Sequence, residues 1–283
     1  MDLTNKLCVV TGANSGIGKE TARAFAKQQA YVIMVCRNEK RAKEAKHEII
    51  AKTNHTGVEI MLADLALQHD VRELANKITQ KYEKVDLLVN NAGLIPDDRE
   101  ETIDGIEKTL AVNHLAPFLL TNLLGDHLKK ATEARVVNVS SEVHRLGAKS
   151  FDLDNLQLRN DYSPMKAYGI SKLCNIMFTH ELSKRWADST VTTNSLHPGV
   201  VRTQLAEEAS WFMKLFYFIG KPFMRSPKSG AKTSIYLSTS DEVADTSGKY
   251  FRNRKEIPPA DIAYDDALTN ELWERSAELT GLS

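Results

Sequence analysis

Along its first 200 residues the chain alternates short apolar runs with stretches whose apolar positions recur at helical spacing. The runs at 7–11, 31–36, 58–62, 85–90, 134–140 and 190–196 read as buried strands, and the stretches at 16–28, 39–53, 67–82, 103–131 and 165–186 read as helices. Further on come a helical pattern at 228–239, a strand-like run near Lys249–Phe251 and a last helix through Leu268, Leu272, Trp273 and Leu279. This alternation implies right-handed βαβ units. The expected fold is α/β: a Rossmann-type, doubly wound, mainly parallel sheet with helices on both faces, formed as one domain over residues 1–283. Ligands on such sheets lie outside the carboxyl ends of the strands, so functional side chains are expected just after them.

The first strand runs directly into Thr11–Gly18, a stretch with glycines at 12, 16 and 18. Gly12 allows a tight turn, Gly16 lets backbone approach a pyrophosphate, and Gly18 lets the helix pack on the strand. The first N–H groups of that helix have no partner within it and sit at its positive end, so they suit a phosphate. Gly12, Asn14, Ser15, Gly16, Ile17 and Gly18 are therefore candidate cofactor contacts; a glycine-rich turn without a ligand is the alternative.

The second strand ends at Cys36, with Arg37 next to it, where an NAD site would need a carboxylate for the ribose 2′-hydroxyl. A guanidinium there suits a 2′-phosphate, which points to NADP(H). Asp64, with Leu65, follows the third strand and would contact the adenine end or cap the next helix. Asn90, Ala92 and Gly93 follow the fourth, where small residues let backbone pass a ribose. Asn113 lies inside a helical stretch, where a buried amide tends to bend the helix and seek a partner. Ser140 and Ser141 close the fifth strand, and a hydroxyl there can reach a substrate oxygen. Tyr168 and Lys172 are four apart and share a helix face. A nearby ammonium, joined by the charge of an oxidised nicotinamide, is expected to lower the phenol's pKa. Tyr162 with Lys166, and Tyr217 with Lys221, have the same spacing. The first pair is set aside because Pro164 and Ser163 start the helix after Tyr162. The second contains Gly220 and follows no serine-bearing strand. After the sixth strand, Pro198, Gly199, Val201 and Thr203 are candidate cofactor contacts.

Residues 204–226 concentrate Trp211, Phe212, Met213, Leu215, Phe216, Phe218, Ile219, Phe223 and Met224. They read as a lid over an apolar substrate pocket, with peripheral membrane contact through 211–224 as the alternative. The apolar 115–124 face would join a homodimer or pack on the sheet. A formal net charge of zero argues against a nucleic-acid partner. Cys8, Cys36 and Cys174 show neither metal nor disulfide spacing, and no run of ~20 apolar residues exists to span a bilayer. A soluble, cytoplasmic protein without a metal is expected.

Together, Thr11–Gly18, Asn90–Gly93, Asn113, Val139–Ser141, Tyr168–Lys172 and Pro198–Gly199 resemble the motifs of the short-chain dehydrogenase/reductase family, in family order. The resemblance implies that Tyr168 is the general acid/base and that Ser141 polarises the carbonyl. It also implies that Lys172 binds the nicotinamide ribose and tunes Tyr168, and that Asn113 holds a proton-relay water. Cys36–Asn38, Val112–Leu115, Ser226–Pro227, Ser247–Phe251 and Leu272–Glu274 are similar to the NADP-linked retinol dehydrogenase branch. The resulting expectation is an NADP(H)-dependent oxidoreductase interconverting an apolar aldehyde or ketone, retinal-like or another lipid aldehyde, with its alcohol. The alternative is a non-catalytic NADP(H)-binding sensor on the same fold, which would not require a tuned phenol.

Overall fold

The computed structural model describes residues 1–201 and 224–282. The six strands expected from the apolar runs form: β1 (Leu7–Thr11), β2 (Tyr31–Cys36), β3 (Val58–Leu62), β4 (Leu87–Asn90), β5 (Ala134–Val139) and β6 (Val191–His197). Each of the first three is followed by a helix, α1 (Gly16–Lys27), α2 (Glu39–Thr53) and α3 (Gln68–Lys81), as the helical spacing predicts. β7 (Tyr250–Arg252) and β8 (Lys255–Glu256) complete one sheet in the order β3-β2-β1-β4-β5-β6-β7-β8, parallel except for the last pair. β8 escapes the hydropathy pattern because both its residues are charged and exposed. The strand order reverses between β1 and β4, and a crevice opens at the carboxyl ends of such neighbours.

Residues of β1 alternate between two cores. Leu7 and Val9 face a cluster with Ile33, Val35, Leu74 and Leu88, whereas Cys8 and Val10 face one with Val32, Met34, Phe25 and Ala22. With both faces covered, the central strands read as continuous apolar runs, which is why their boundaries were legible.

The expected helix over 103–131 is broken. Gly105 takes a positive φ of 71° in a turn, and the Glu107 carboxylate accepts from the N–H groups of Thr109 and Leu110, starting the helix only there. The helix proceeds as α4 (Lys108–Leu110), a π turn (Ala111–Leu115), α5 (Ala116–Leu123) and α6 (Gly125–Lys129). Asn113 sits in the π turn, as its helix-bending character predicts.

After β5 come α7 (His144–Ala148) and the long α8 (Pro164–Arg185); α9 (Pro227–Thr239) and α10 (Asp266–Thr280) close the chain. Ser163 caps α8 and Tyr162 lies outside it, its hydroxyl donating to the Asp98 carbonyl at 3.2 Å. The apolar 115–124 face is used within the chain: Phe118 meets Trp273 of α10 edge-on at 4.9 Å, and most of α5 is buried. Among the described residues no helix is long and apolar enough to cross a membrane. Thr203, the pair Tyr217 and Lys221, and the expected lid apart from its last three positions lie outside the described residues.

Candidate active site

The glycine loop is built by backbone meeting backbone. Gly12 has φ +66°, and a Cβ there would lie 3.0 Å from the Ala92 Cα. A Cβ on Gly18 would lie 2.4 Å from the Gly12 carbonyl oxygen, so α1 can start this close to β1 only without a side chain. Ser15 is the N-cap of α1, but its side chain makes no cap bond, so it does not satisfy the first N–H groups of the helix. The Gly12 N–H donates to the Val35 carbonyl at 2.9 Å, and the N–H groups of Ala13 and Asn14 point at the Cys36 sulfur. The loop is thereby tied to the end of β2, where Arg37 is exposed.

Two residues not singled out from the sequence weld this loop to the loop after β4. Thr11 Oγ1 accepts from the N–H groups of Asn91 and Ala92 at 2.9 and 3.0 Å, and Asn91 Nδ2 donates to the Thr11 carbonyl at 2.8 Å. Both lie inside the quoted motifs, but no spacing rule reports a bond across 80 residues. The Asn90 side chain turns away from the loop. Its Nδ2 donates to Thr121 Oγ1 and Asn138 Oδ1 in the buried interior, so the side chain braces β4 against β5. Asp64 Oδ1 accepts from the Ala66 N–H at 3.0 Å, holding the turn that leads to α3, and Leu65 packs against the core. Ile17 and Val201 share a small buried cluster with Ala231, which seats the loop after β6 on the first turn of α1. Gly199 adopts φ +88° beneath the Arg225 side chain, with Pro198 half-buried before it.

Ser141, Tyr168, Lys172 and Asn113 converge. Asn113 Nδ2 donates to the Leu94 carbonyl and to Ser171 Oγ at 3.0 and 3.1 Å, while its Oδ1 accepts from the Leu94 N–H at 2.8 Å. Lys172 is only 3% exposed; its ammonium donates to the Val139 carbonyl at 2.9 Å and lies 5.4 Å from the centre of the Tyr168 ring. A Cβ on Gly93 would come within 3.3 Å of Asn113 Oδ1 and 3.4 Å of Lys172 Nζ. Ser140 Oγ donates to the Lys172 carbonyl at 2.6 Å, and Ser141 faces the phenol.

Burial pushes the Lys172 ammonium down to about 8 and the Tyr168 phenol up to about 12, the latter against the Ser141 hydroxyl, which favours the phenolate. In the protein without a cofactor, desolvation outweighs the polar neighbours of the phenol. A protonated phenol next to a compressed ammonium is the form that donates a proton.

The matched family model is that of the short chain dehydrogenases, over residues 6–153. The chain belongs to this family. Human retinol dehydrogenase 13 is 41% identical over 99% of this chain and 86% of its own length. Human WW domain-containing oxidoreductase is 39% identical over 98% of this chain and 69% of its own length. Among solved structures, an uncharacterized protein from Mycobacterium paratuberculosis matches with a TM-score of 0.77 and 32% identity, covering 99% of this chain and 96% of that one. A short chain dehydrogenase from Escherichia coli CFT073, complexed with NADPH, matches with a TM-score of 0.68 and 25% identity, covering 88% and 97%.

In this short-chain dehydrogenase one positioning feature had no signal in the sequence reading. A Cβ on Gly147 of α7 would lie 2.3 Å from the backbone of Gly169, the residue after Tyr168. Gly147→Ala is expected to push α8 away from α7, lowering the melting temperature and cutting turnover at least 10-fold while cofactor affinity stays within about 3-fold. Steady-state kinetics and calorimetry check both effects. Lys172 has its folded pKa depressed from 10.5 to about 8, so its contribution to stability is full above pH 10.5 and lost as pH falls towards 8. Lys172→Met should therefore be more stable than the parent by about 2 kcal/mol at pH 7, after subtracting about 1 kcal/mol for the lost bond to Val139. That gap should shrink as pH rises from 8 to 10.5 in denaturant titrations.

Proposed function

We propose that the chain is an NADP(H)-dependent oxidoreductase that reduces apolar aldehydes and ketones and oxidises the matching alcohols. The observation carrying this reading is the convergence of Ser141, Tyr168 and the buried Lys172 at strand ends that adjoin the glycine loop. The chain fits a dinucleotide on its own terms. The first turn of α1 offers N–H groups and an uncapped Ser15 to a diphosphate, and Gly93 leaves room beside Lys172 and Asn113. Arg37, exposed at the end of β2, would take a 2′-phosphate. NADPH in the Escherichia coli relative supports the choice of phosphate form.

A bound nicotinamide supplies or accepts the hydride and, when oxidised, adds a positive charge near the phenol. The chain's own residues handle the proton. The Ser141 hydroxyl and the Tyr168 phenol hold the carbonyl oxygen between them. Tyr168 donates its proton to that oxygen as the carbon is reduced, and its high pKa keeps it protonated for the step. Lys172, fixed on Val139, stabilises the phenolate left behind. In the reverse direction the phenolate accepts the alcohol proton. Asn113 holds α8 to the loop at Leu94 through Ser171, so the tyrosine keeps its place. What supports an apolar substrate is the names of the retinol dehydrogenase relatives.

Purified protein is expected to oxidise NADPH with retinal or long-chain aldehydes, and Tyr168→Phe to reduce kcat by roughly 1,000-fold with NADPH affinity retained. Turnover persisting in that variant, or tight NADPH binding without turnover on any aldehyde, ketone or alcohol, would refute the mechanism. Arg37→Ala should cut the preference for NADPH over NADH by roughly 10- to 100-fold, the worth of one charge-assisted bond. Competition kinetics with both cofactors read this directly.

A further inference from the structure

The turn that follows Ser141 is fastened to a distant segment by a histidine. His144 is fully buried at the start of α7. Its Nδ1 donates to the Ser141 carbonyl at 2.7 Å, and its Nε2 accepts from the Ala260 N–H at 3.1 Å. One partner is a carbonyl and the other an N–H, so only the neutral ring protonated on Nδ1 satisfies both. The ring also stands edge-on to Tyr250 of β7, with centroids 5.0 Å apart. Arg145 reinforces the same junction, its guanidinium donating to the Pro258 and Pro259 carbonyls at 2.6 and 3.2 Å.

The Ser141 carbonyl accepts twice from one residue, from the backbone N–H of His144 at 3.1 Å and from its ring. Both lone pairs are thus directed, which fixes the plane of the peptide after Ser141. That plane sets the serine's ψ, and with it the direction in which its side chain leaves the backbone. The freedom it removes is real, because Ser141 Oγ also has a local partner: it accepts from the Val143 N–H at 3.3 Å.

We propose that His144 is a positioning residue for Ser141, its imidazole locking the serine's own peptide plane against the segment at Ala260 so that Oγ is presented to Tyr168 before substrate arrives. The inference rests on the proposed role of Ser141 in carbonyl reduction. It adds a dependence of that role on residues 258–260, which lie far along the chain and touch neither Ser141 nor Tyr168 through any bond described above.

Three substitutions separate the links. His144→Asn places an amide nitrogen where Nδ1 sits and keeps the bond to Ser141 while dropping Ala260. His144→Phe keeps the ring against Tyr250 and drops both bonds. Ala260→Pro removes the N–H at a residue whose φ of −67° proline adopts without strain. The expected kcat with NADPH and a long-chain aldehyde falls at least 10-fold in His144→Phe and 3- to 10-fold in both Ala260→Pro and His144→Asn, which drop the same bond, with the NADPH dissociation constant within 2-fold throughout. Equal losses in Asn and Phe, or unchanged kcat in Ala260→Pro, would overturn the proposal. If His144→Phe does not fold, the Asn and Pro variants still decide it. Nitrogen-15 spectra of the parent protein labelled in histidine give a readout independent of turnover: the ring is expected to be neutral and protonated on Nδ1 at pH 7. An Nε2-protonated or charged ring would overturn the positioning role, whereas a parent inactive on every carbonyl with the expected tautomer would count against the proposed reaction alone.

Discussion

Where α7 crosses α8, the two backbones touch at Gly147 and Gly169 with no space for a methyl group. The whole candidate site hangs from that contact. α7 continues from Ser141, and α8 carries Tyr168, Ser171 and Lys172, so the closeness of two peptide chains sets how near a serine hydroxyl comes to a phenol. The same device appears at the other end of the crevice, where Gly18 meets the Gly12 carbonyl and sets how near α1 starts to β1. In both places an absent side chain decides the geometry.

Around this contact the interior carries a buried polar network. Asn90, Asn138, Thr121 and Thr179 form a buried chain of donors and acceptors that links β4, β5, α5 and α8 beneath the site. Each of these bonds adds little net stability, but leaving one of the groups unpaired would cost about 1–3 kcal/mol, so the network selects one arrangement of the elements. Lys172 is the extreme case. Its ammonium is held in a place that pushes its pKa down by burial, with one backbone carbonyl as its hydrogen-bond acceptor. Stability is given up there for a charge positioned near a phenol, a trade expected at a functional site.

The protonation states follow the same logic. In the protein alone, burial raises the phenol and lowers the amine, so the site rests as a proton donor beside a poised cation. The positive charge of an oxidised cofactor is the missing contribution that would favour the phenolate.

Much of this was readable in one dimension. The order of β1 to β6 and their rough extent, the helices α1 to α3 and α8, the glycine loop, and the start of α8 after Tyr162 all follow from local rules, because strand burial, helix capping and turn chemistry act within a few residues. The hydropathy pattern did not show where the 103–131 helix truly begins, since a buried Glu107 overrides periodicity. It did not show that the Asn90 side chain faces Asn138, nor that Thr11 and Asn91 join two loops. Nor could it anticipate that burial would raise the pKa of Tyr168, because desolvation depends on everything packed around a group and not on its neighbours in sequence. Residue types and their spacing along the chain determined the fold and named the candidate site groups; the contacts between segments far apart in the chain, above all backbone against backbone at glycines, decided how those groups meet.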